Sequence, residues 1–292
     1  MKLIFSKSQY IIRVYIVTLL CATLFYSVSS WATGPRVTPS IFVDDQNQVY
    51  GVEYPPFVSA QLKSGGLCVE IVDSVFKQID KEYPHSVLPV SNMVKYYLQQ
   101  ENALAAHSQY LFFEPHEHAD LIFIPVVITH ENFYYSKRQY QNGLPWNGNL
   151  SSLKNYTYGA YMGEPVKAFH EAGVQVSFIR AYSLIKKLES EQIDFFRMSE
   201  LALSWIVERH AKTFAVDIKV LEDSQTDLPL YIVFNMKHPQ GRVIAKQFKA
   251  GLKEGIEQGR YLEILKKYIH SPAQQQEYLN KLKIYLADVL IS

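Results

Sequence analysis

Apolar residues recur along this 292-residue chain in two rhythms. Short runs, SIFVDD (40–45), QVYGVEY, SVLPVS, YTYGAYMG, VQVSFIRA, IDFFRM, DIKVLED and PLYIVFNM, carry the alternating or unbroken apolar pattern of strands. ADLIFIPVVI is apolar almost throughout, as expected of a central strand buried on both faces. Between these runs the spacing lengthens to the helical period. In GGLCVEIVDSVFKQIDKEY, Leu67, Ile71, Val72, Val75, Phe76 and Ile79 fall on one stripe. NMVKYYLQQENAL, EPVKAFHEAG, YSLIKKLESEQ, SELALSWIVERHA (with Ser199 as cap), GRVIAKQFKAGLKEGIEQG and RYLEILKKYI predict further helices. Strands alternating with helices argue for an α/β architecture. The closing segment, SPAQQQEYLNKLKIYLADVLIS, predicts an amphipathic tail packed on the surface, with a partner-binding helix as the alternative.

The amino terminus breaks this pattern. Lys2, Lys7 and Arg13 precede the apolar run VYIVTLLCATLFYSV, and small residues, Ser30 and Ala32, close it. A basic start, a short apolar run and small residues are the order of an export signal. Residues 1–32 are therefore expected to be a signal peptide, and the mature chain to reside in the periplasm; an uncleaved anchor is the alternative. The chain has 29 basic and 28 acidic residues, and losing that segment turns the balance slightly negative. No basic field for nucleic acid or anionic lipid results. Of the two cysteines, Cys21 leaves with the signal, so Cys68 has no intrachain partner and is expected to pack as a small hydrophobe.

GVEYPPFVS raises the first question about chemistry. Proline lacks the N–H a strand needs, so the strand must stop near Pro55 and hold Tyr54 and Phe57 on a stiff turn. That turn is either a packed corner or an aromatic wall for a ligand. Several segments together resemble the family 3 periplasmic solute-binding proteins, the amino-acid-type binding proteins of ABC transporters. EYPPF is similar to that family's first ligand-wall turn, and GGLCVEIVDSVFKQI to its first helix. ADLIFIPVVITHENFYYSKRQY resembles its strand and crossing segment, SLIKKLESEQIDFF its second-lobe helix and strand, and PLYIVFNM through KKYI its carboxyl-terminal helices.

The resemblance implies a two-lobed type II periplasmic-binding fold with two interlobe crossings, near Tyr140 and Leu230, and a central cleft closed by a hinge. Residues 33–140 and 230–292 would form lobe 1, and 141–229 lobe 2. It implies ligand contacts from Tyr54, Phe57, Met93, Thr129, Asn132, Gly163, Ser199 and Glu200, a membrane permease or membrane sensor as partner, no cofactor, no nucleic acid and a monomer.

The departures from the family matter as much. Its amino-acid binders grip the α-carboxylate with an arginine three residues after the threonine, because a planar guanidinium makes two charge-assisted bonds. Here Thr129 is followed by His130, Glu131 and Asn132, and matching from the downstream side puts His130 in the slot. The ammonium-binding aspartate falls on Ser199 beside Glu200, and the serine cradle on Ile124, Pro125 and Val127. The usual clamp is thus missing at both ends. Arg197 or Glu200 could grip instead, the solute could be other than a free α-amino acid, or the cleft could serve a protein partner.

Other candidates are local. Glu114, His116 and His118 could bind a metal or form a solvated loop. Gly163 at a helix start could expose N–H groups to an anion or be an ordinary turn. Glu208 and His210 read as a solvated face. A lyase or dehydratase on the same scaffold would need Glu131 or Glu200 as its acid or base, and a ligand-free interaction protein is a third class.

Overall fold

A computed structural model describes residues 47–88, 91–99, 103–180, 183–210 and 217–289. The expected signal peptide and the SIFVDD strand lie outside the described residues. Strands β1 (Val49–Val52), β2 (His85–Leu88) and β3 (Ala105–Ser108) alternate with helices α1 (Leu67–Gln78) and α2 (Ser91–Leu98). A long strand, β4 (Leu121–Ser136), follows. A second alternating set comprises β5 (Thr157–Tyr161), α3 (Lys167–Glu171), β6 (Gln175–Ile179), α4 (Leu184–Glu189), β7 (Phe195–Ser199) and α5 (Glu200–His210). The chain continues through β8 (Ile218–Val220), β9 (Thr226–Asn235), α6 (Gly241–Glu257), α7 (Arg260–Leu265) and α8 (Pro272–Ala287).

The two sets have the same internal order. β1 pairs in parallel with β2 and β3, and β5 with β6 and β7, as strands joined by crossover helices must. The long antiparallel strands β4 and β9 join them, giving the order β2-β1-β3-β9-β4-β7-β5-β6, with β8 on β4. β4 pairs with β9 as far as Glu131 and with β7 from Glu131 onward, so this strand belongs to both lobes of a two-lobed α/β fold.

Packing follows the sequence pattern. The α1 stripe buries Leu67, Ile71, Val72, Val75 and Phe76 against Phe234 and Phe248. Tyr158, Phe169, Phe195 and Phe133 form the second lobe's aromatic core. Pro125 sits inside β4, where it cannot donate to the ladder. The register shifts between Pro125 and Val127, and the Val126 carbonyl accepts from the Tyr261 hydroxyl.

Three expectations differ from the structure. The helix expected to run through Leu104 ends at Leu98, and β3 occupies Ala105–Ser108 instead. Residues 100–102 lie outside the description. β4 does not stop near Ile128 but continues to Ser136. The carboxyl-terminal helix is more than a surface tail: Tyr278, Leu282 and Leu286 are buried in the main core.

Candidate functional site

In parallel α/β units ligands gather at the carboxyl ends of the strands, where loops diverge and leave a crevice. Both sets here present those ends to one cavity of about 430 Å³. One side is formed by Val52 at the end of β1 and Glu53 beyond it, the turn residues Tyr54, Phe57 and Val58, and His107, Ser108, Gln109 and Phe112 at and beyond the end of β3. The other comprises Tyr161 at the end of β5 and Met162 beyond it, Arg180 after β6, and Met198 on β7. Leu230 and Tyr231 of β9 complete the wall. The surface is mostly apolar and aromatic with a few polar groups, the usual make-up of a small-molecule site.

The turn at Tyr54 is both corner and wall. Tyr54 N–H donates to the Val58 carbonyl, and Phe57 and Val58 N–H groups return to the Tyr54 carbonyl. The free carbonyls of Pro56 and Phe57 accept from Leu67 and Cys68, the first N–H groups of α1. Gly66 permits this approach: its φ is 105°, and a Cβ there would lie 2.6 Å from both carbonyl oxygens. Phe57 is buried and packs 5.3 Å from the Tyr54 ring. Tyr54 reaches the opposite side, stacking at 6.5 Å on Tyr161 and accepting from the Ser199 N–H at 3.3 Å. Burial, with Glu131 and Glu164 nearby, pushes its hydroxyl well above the ordinary tyrosine range.

Behind Tyr54 and Tyr161 lies a buried ionic cluster. Arg197 Nε is 3.1 Å from Glu131, and its terminal nitrogen 3.2 Å from Glu164. Glu164 also accepts from the Tyr158 hydroxyl and the Tyr161 N–H. Burial, followed by the attraction of Arg197 in the opposite sense, leaves its pKa raised to about 7. Gly163 does form a positive-φ turn, but the acceptor in that turn is the protein's own Glu164 carboxylate. α3 is five residues long, too short to offer a terminal anion site.

Thr129, Asn132, Ser199 and Glu200 do not line the cavity. Thr129 is fully buried, its hydroxyl 3.0 Å from Ser199 and 2.6 Å from Tyr278. Glu200 accepts from Gln274 at 2.7 Å and from Tyr278 at 3.3 Å. Asn132 is buried and faces the Tyr134 hydroxyl. Thr129 and Glu200, with Ser199 bonded to Thr129, seat α8 across β4 and the start of α5. His130 joins them through Glu277 at 2.7 Å. Arg197, the alternative grip, is held by two glutamates. Of the other expected ligand contacts, Tyr54 and Phe57 line the cavity, and Met93 lies on α2. His118 turns to the Phe113 carbonyl, and Glu117, between the candidate ligands His116 and His118, accepts from Glu114 N–H and pairs with Lys95. No group of three metal-ligating side chains is found among the described residues.

Sequence reasoning missed His107, Ser108, Gln109, Tyr161, Arg180 and Tyr231. The clue was in LAAHSQ, a short apolar run ending in three polar residues, as a strand does where it emerges at a crevice.

No protein-family model and no curated protein sequence matches the chain. Solved structures do. EhuB in complex with hydroxyectoine aligns with a TM-score of 0.64 at 19% identity, covering 81% of this chain and 93% of that one. The GluR0 ligand-binding core from Nostoc punctiforme, in complex with L-glutamate, aligns at 0.63 and 14%, covering 77% and 100%. The arginine-, lysine-, histidine-binding protein ArtJ from Geobacillus stearothermophilus aligns at 0.61 and 17%, covering 81% and 99%. The chain has the two-lobed type II periplasmic-binding-protein fold that these structures share.

Proposed function

We propose that this is a periplasmic solute-binding protein that captures a small solute between its lobes and presents it, without catalysis, to an ABC permease or a membrane sensor. The observation that carries this reading is the cavity at the strand ends, walled by aromatic side chains from both lobes. The structural neighbours named for amino-acid and hydroxyectoine binding support it by analogy of fold. We place the bulk of lobe 1 in 33–140 and 230–292 and lobe 2 in 141–229, with the end of β4 from Glu131 on pairing with β7 and so reaching into lobe 2. The export signal at 1–32 and a monomeric state belong to the same reading. No helix among the described residues is long and apolar enough to cross a membrane.

The ligand is not a standard free amino acid held by the usual carboxylate and ammonium clamp. Arg197 is already paired with Glu131 and Glu164, and Glu200 with α8. Glu53 lines the cavity, but its two carboxylate oxygens accept from Ser59 and Ala60. Tyr54 and Phe57 serve as aromatic wall, and Arg180 as an exposed cation for an acidic or polar group. Glu131 and Glu200, the acids expected to serve a catalytic reading, lie outside the cavity lining. Native mass spectrometry of protein purified from periplasm tests the proposal. A co-purified small molecule that acid releases is the expected result. A protein of apo mass that no solute in a broad metabolite screen stabilises would favour a ligand-free interaction protein.

A further inference from the structure

Two histidines meet beside Gly51. A Cβ at Gly51 would lie 3.0 Å from the Val58 side chain, 3.5 Å from His107 Cβ and 3.6 Å from His107 Cδ2. Without one, the His107 ring at the end of β3 passes close to β1 and stacks on His85 of β2, with centroids 5.1 Å apart. His107 Nε2 is 3.1 Å from His85 Nδ1, and His85 Nε2 is 2.8 Å from Asp73 Oδ1 on α1. His107 lines the cavity at 5% exposure, and its Nδ1 is buried without a partner. Gln109, two residues on and therefore on the same strand face, also lines the cavity with an unpartnered buried Oε1.

The direction of each bond follows from its terminus. An ionised aspartate only accepts, so His85 carries its proton on Nε2. With both rings neutral, His85 Nδ1 is then a lone pair and must accept from His107 Nε2–H. That leaves His107 Nδ1 unprotonated. Burial keeps the His107 imidazole well below the usual histidine range, so the ring stays neutral. A buried acceptor without a partner costs free energy, which a ligand donor would recover. Gln109 can turn its amide to suit either role, so the histidine is the group that sets the demand.

We propose that Asp73 and His85 are positioning residues that hold His107 Nδ1 as a hydrogen-bond acceptor in the cavity, so that the site selects solutes presenting an N–H or O–H donor on an apolar or aromatic body. This rests on the solute-binding reading above and names the ligand chemistry of the same cavity. Asp73 and His85 touch no ligand; they act through His107.

The test uses the full mature chain at mildly alkaline pH, above the titration range of an unperturbed imidazole. Long-range nitrogen–proton correlation spectra report which nitrogen of each ring is protonated. His107 Nδ1 is expected to be unprotonated before any ligand is added, and a protonated Nδ1 overturns the proposal. Benzamide and acetophenone then serve as neutral probes of the same shape, differing in the NH2 donor. Benzamide is expected to bind roughly ten-fold tighter and to move the His107 Nδ1 resonance. Equal affinity, or acetophenone binding tighter, overturns the acceptor assignment and leaves the solute-binding reading standing. Failure of both probes to bind would overturn the proposed ligand chemistry, while the solute-binding reading stands or falls on the co-purified solute. Asp73→Leu and the more disruptive His85→Phe should each release the tautomer and bring the two affinities together. A preference unchanged in a folded Asp73→Leu variant would overturn the positioning role.

Discussion

Phe57 and Tyr54 lie three residues apart and do different work. Phe57 is almost fully buried in the main core. Phe57→Ala should therefore cost about 3–5 kcal/mol of stability, measured by urea unfolding. Tyr54 is half-buried and spans the cleft to Tyr161 and Ser199. Tyr54→Ala should weaken binding of the co-purified solute roughly ten-fold or more by calorimetry, while most folding stability survives. If both variants merely unfold the protein, the turn is a corner and not a wall. Glu164 offers a second test at this scale. Its pKa is raised from 4.5 to about 7, so between those values the folded state binds more protons than the unfolded chain. Stability contributed by the protonated carboxyl is full below 4.5 and lost as pH rises through about 7. Urea titrations across that window should show this fall in the wild type. In Glu164→Gln the slope should be much reduced; an unchanged slope would assign it to another group.

Among the elements, those with a long apolar period were legible from sequence. α1 and α6 each carry a full buried stripe, and β4 and β9 are too apolar for any solvated role. β3 was not legible. Its four residues, AAHS, follow a helical pattern directly, and alanine favours helix wherever tertiary pairing does not intervene. Pairing with β1 and β9 intervenes here. Thr129 and Asn132 were expected at the cavity from the family's motif, whereas the end of β3 supplies His107, Ser108 and Gln109 there. The two aromatics of the turn were legible because proline announces itself locally. The contacts of Tyr161 and Arg180 were not, because they depend on how two distant strand sets meet. α8 shows the same limit. Its sequence reads as an amphipathic tail, yet Tyr278 binds Thr129 at the middle of β4. A helix merely lying on the surface would tolerate substitution within about 0.5 kcal/mol. Leu282→Ala should instead cost about 2–5 kcal/mol, and Tyr278→Phe about 1 kcal/mol, by thermal and urea unfolding.

For the molecule as a whole, the proposed solute-binding reading turns on what the cavity offers a ligand. In this fold a ligand that binds only the folded protein stabilises it by mass action. At a hundred times its dissociation constant the gain is about 2.7 kcal/mol, or roughly 5–10 °C in melting temperature for a domain of this size. A free α-amino acid could reach that only by exchanging both its hydrated charges for protein partners. The half-buried guanidinium of Arg197 already faces two buried carboxylates, and withdrawing it would strand both without their cation. Glu200 is bound to the helix that straps the crossing strands. What the cavity offers is aromatic surface from both lobes, the exposed Arg180, and acceptors at the end of β3. L-Glutamate, L-glutamine and L-arginine, added at millimolar concentration, should therefore shift the melting temperature by less than about 1 °C, well below the ligand-induced gain. The solute recovered from periplasm should give the full shift. A rise of several degrees with any of the three amino acids would mean that the Glu131–Arg197–Glu164 cluster opens to admit a ligand, and that the clamp is rebuilt from residues the closed cavity keeps occupied.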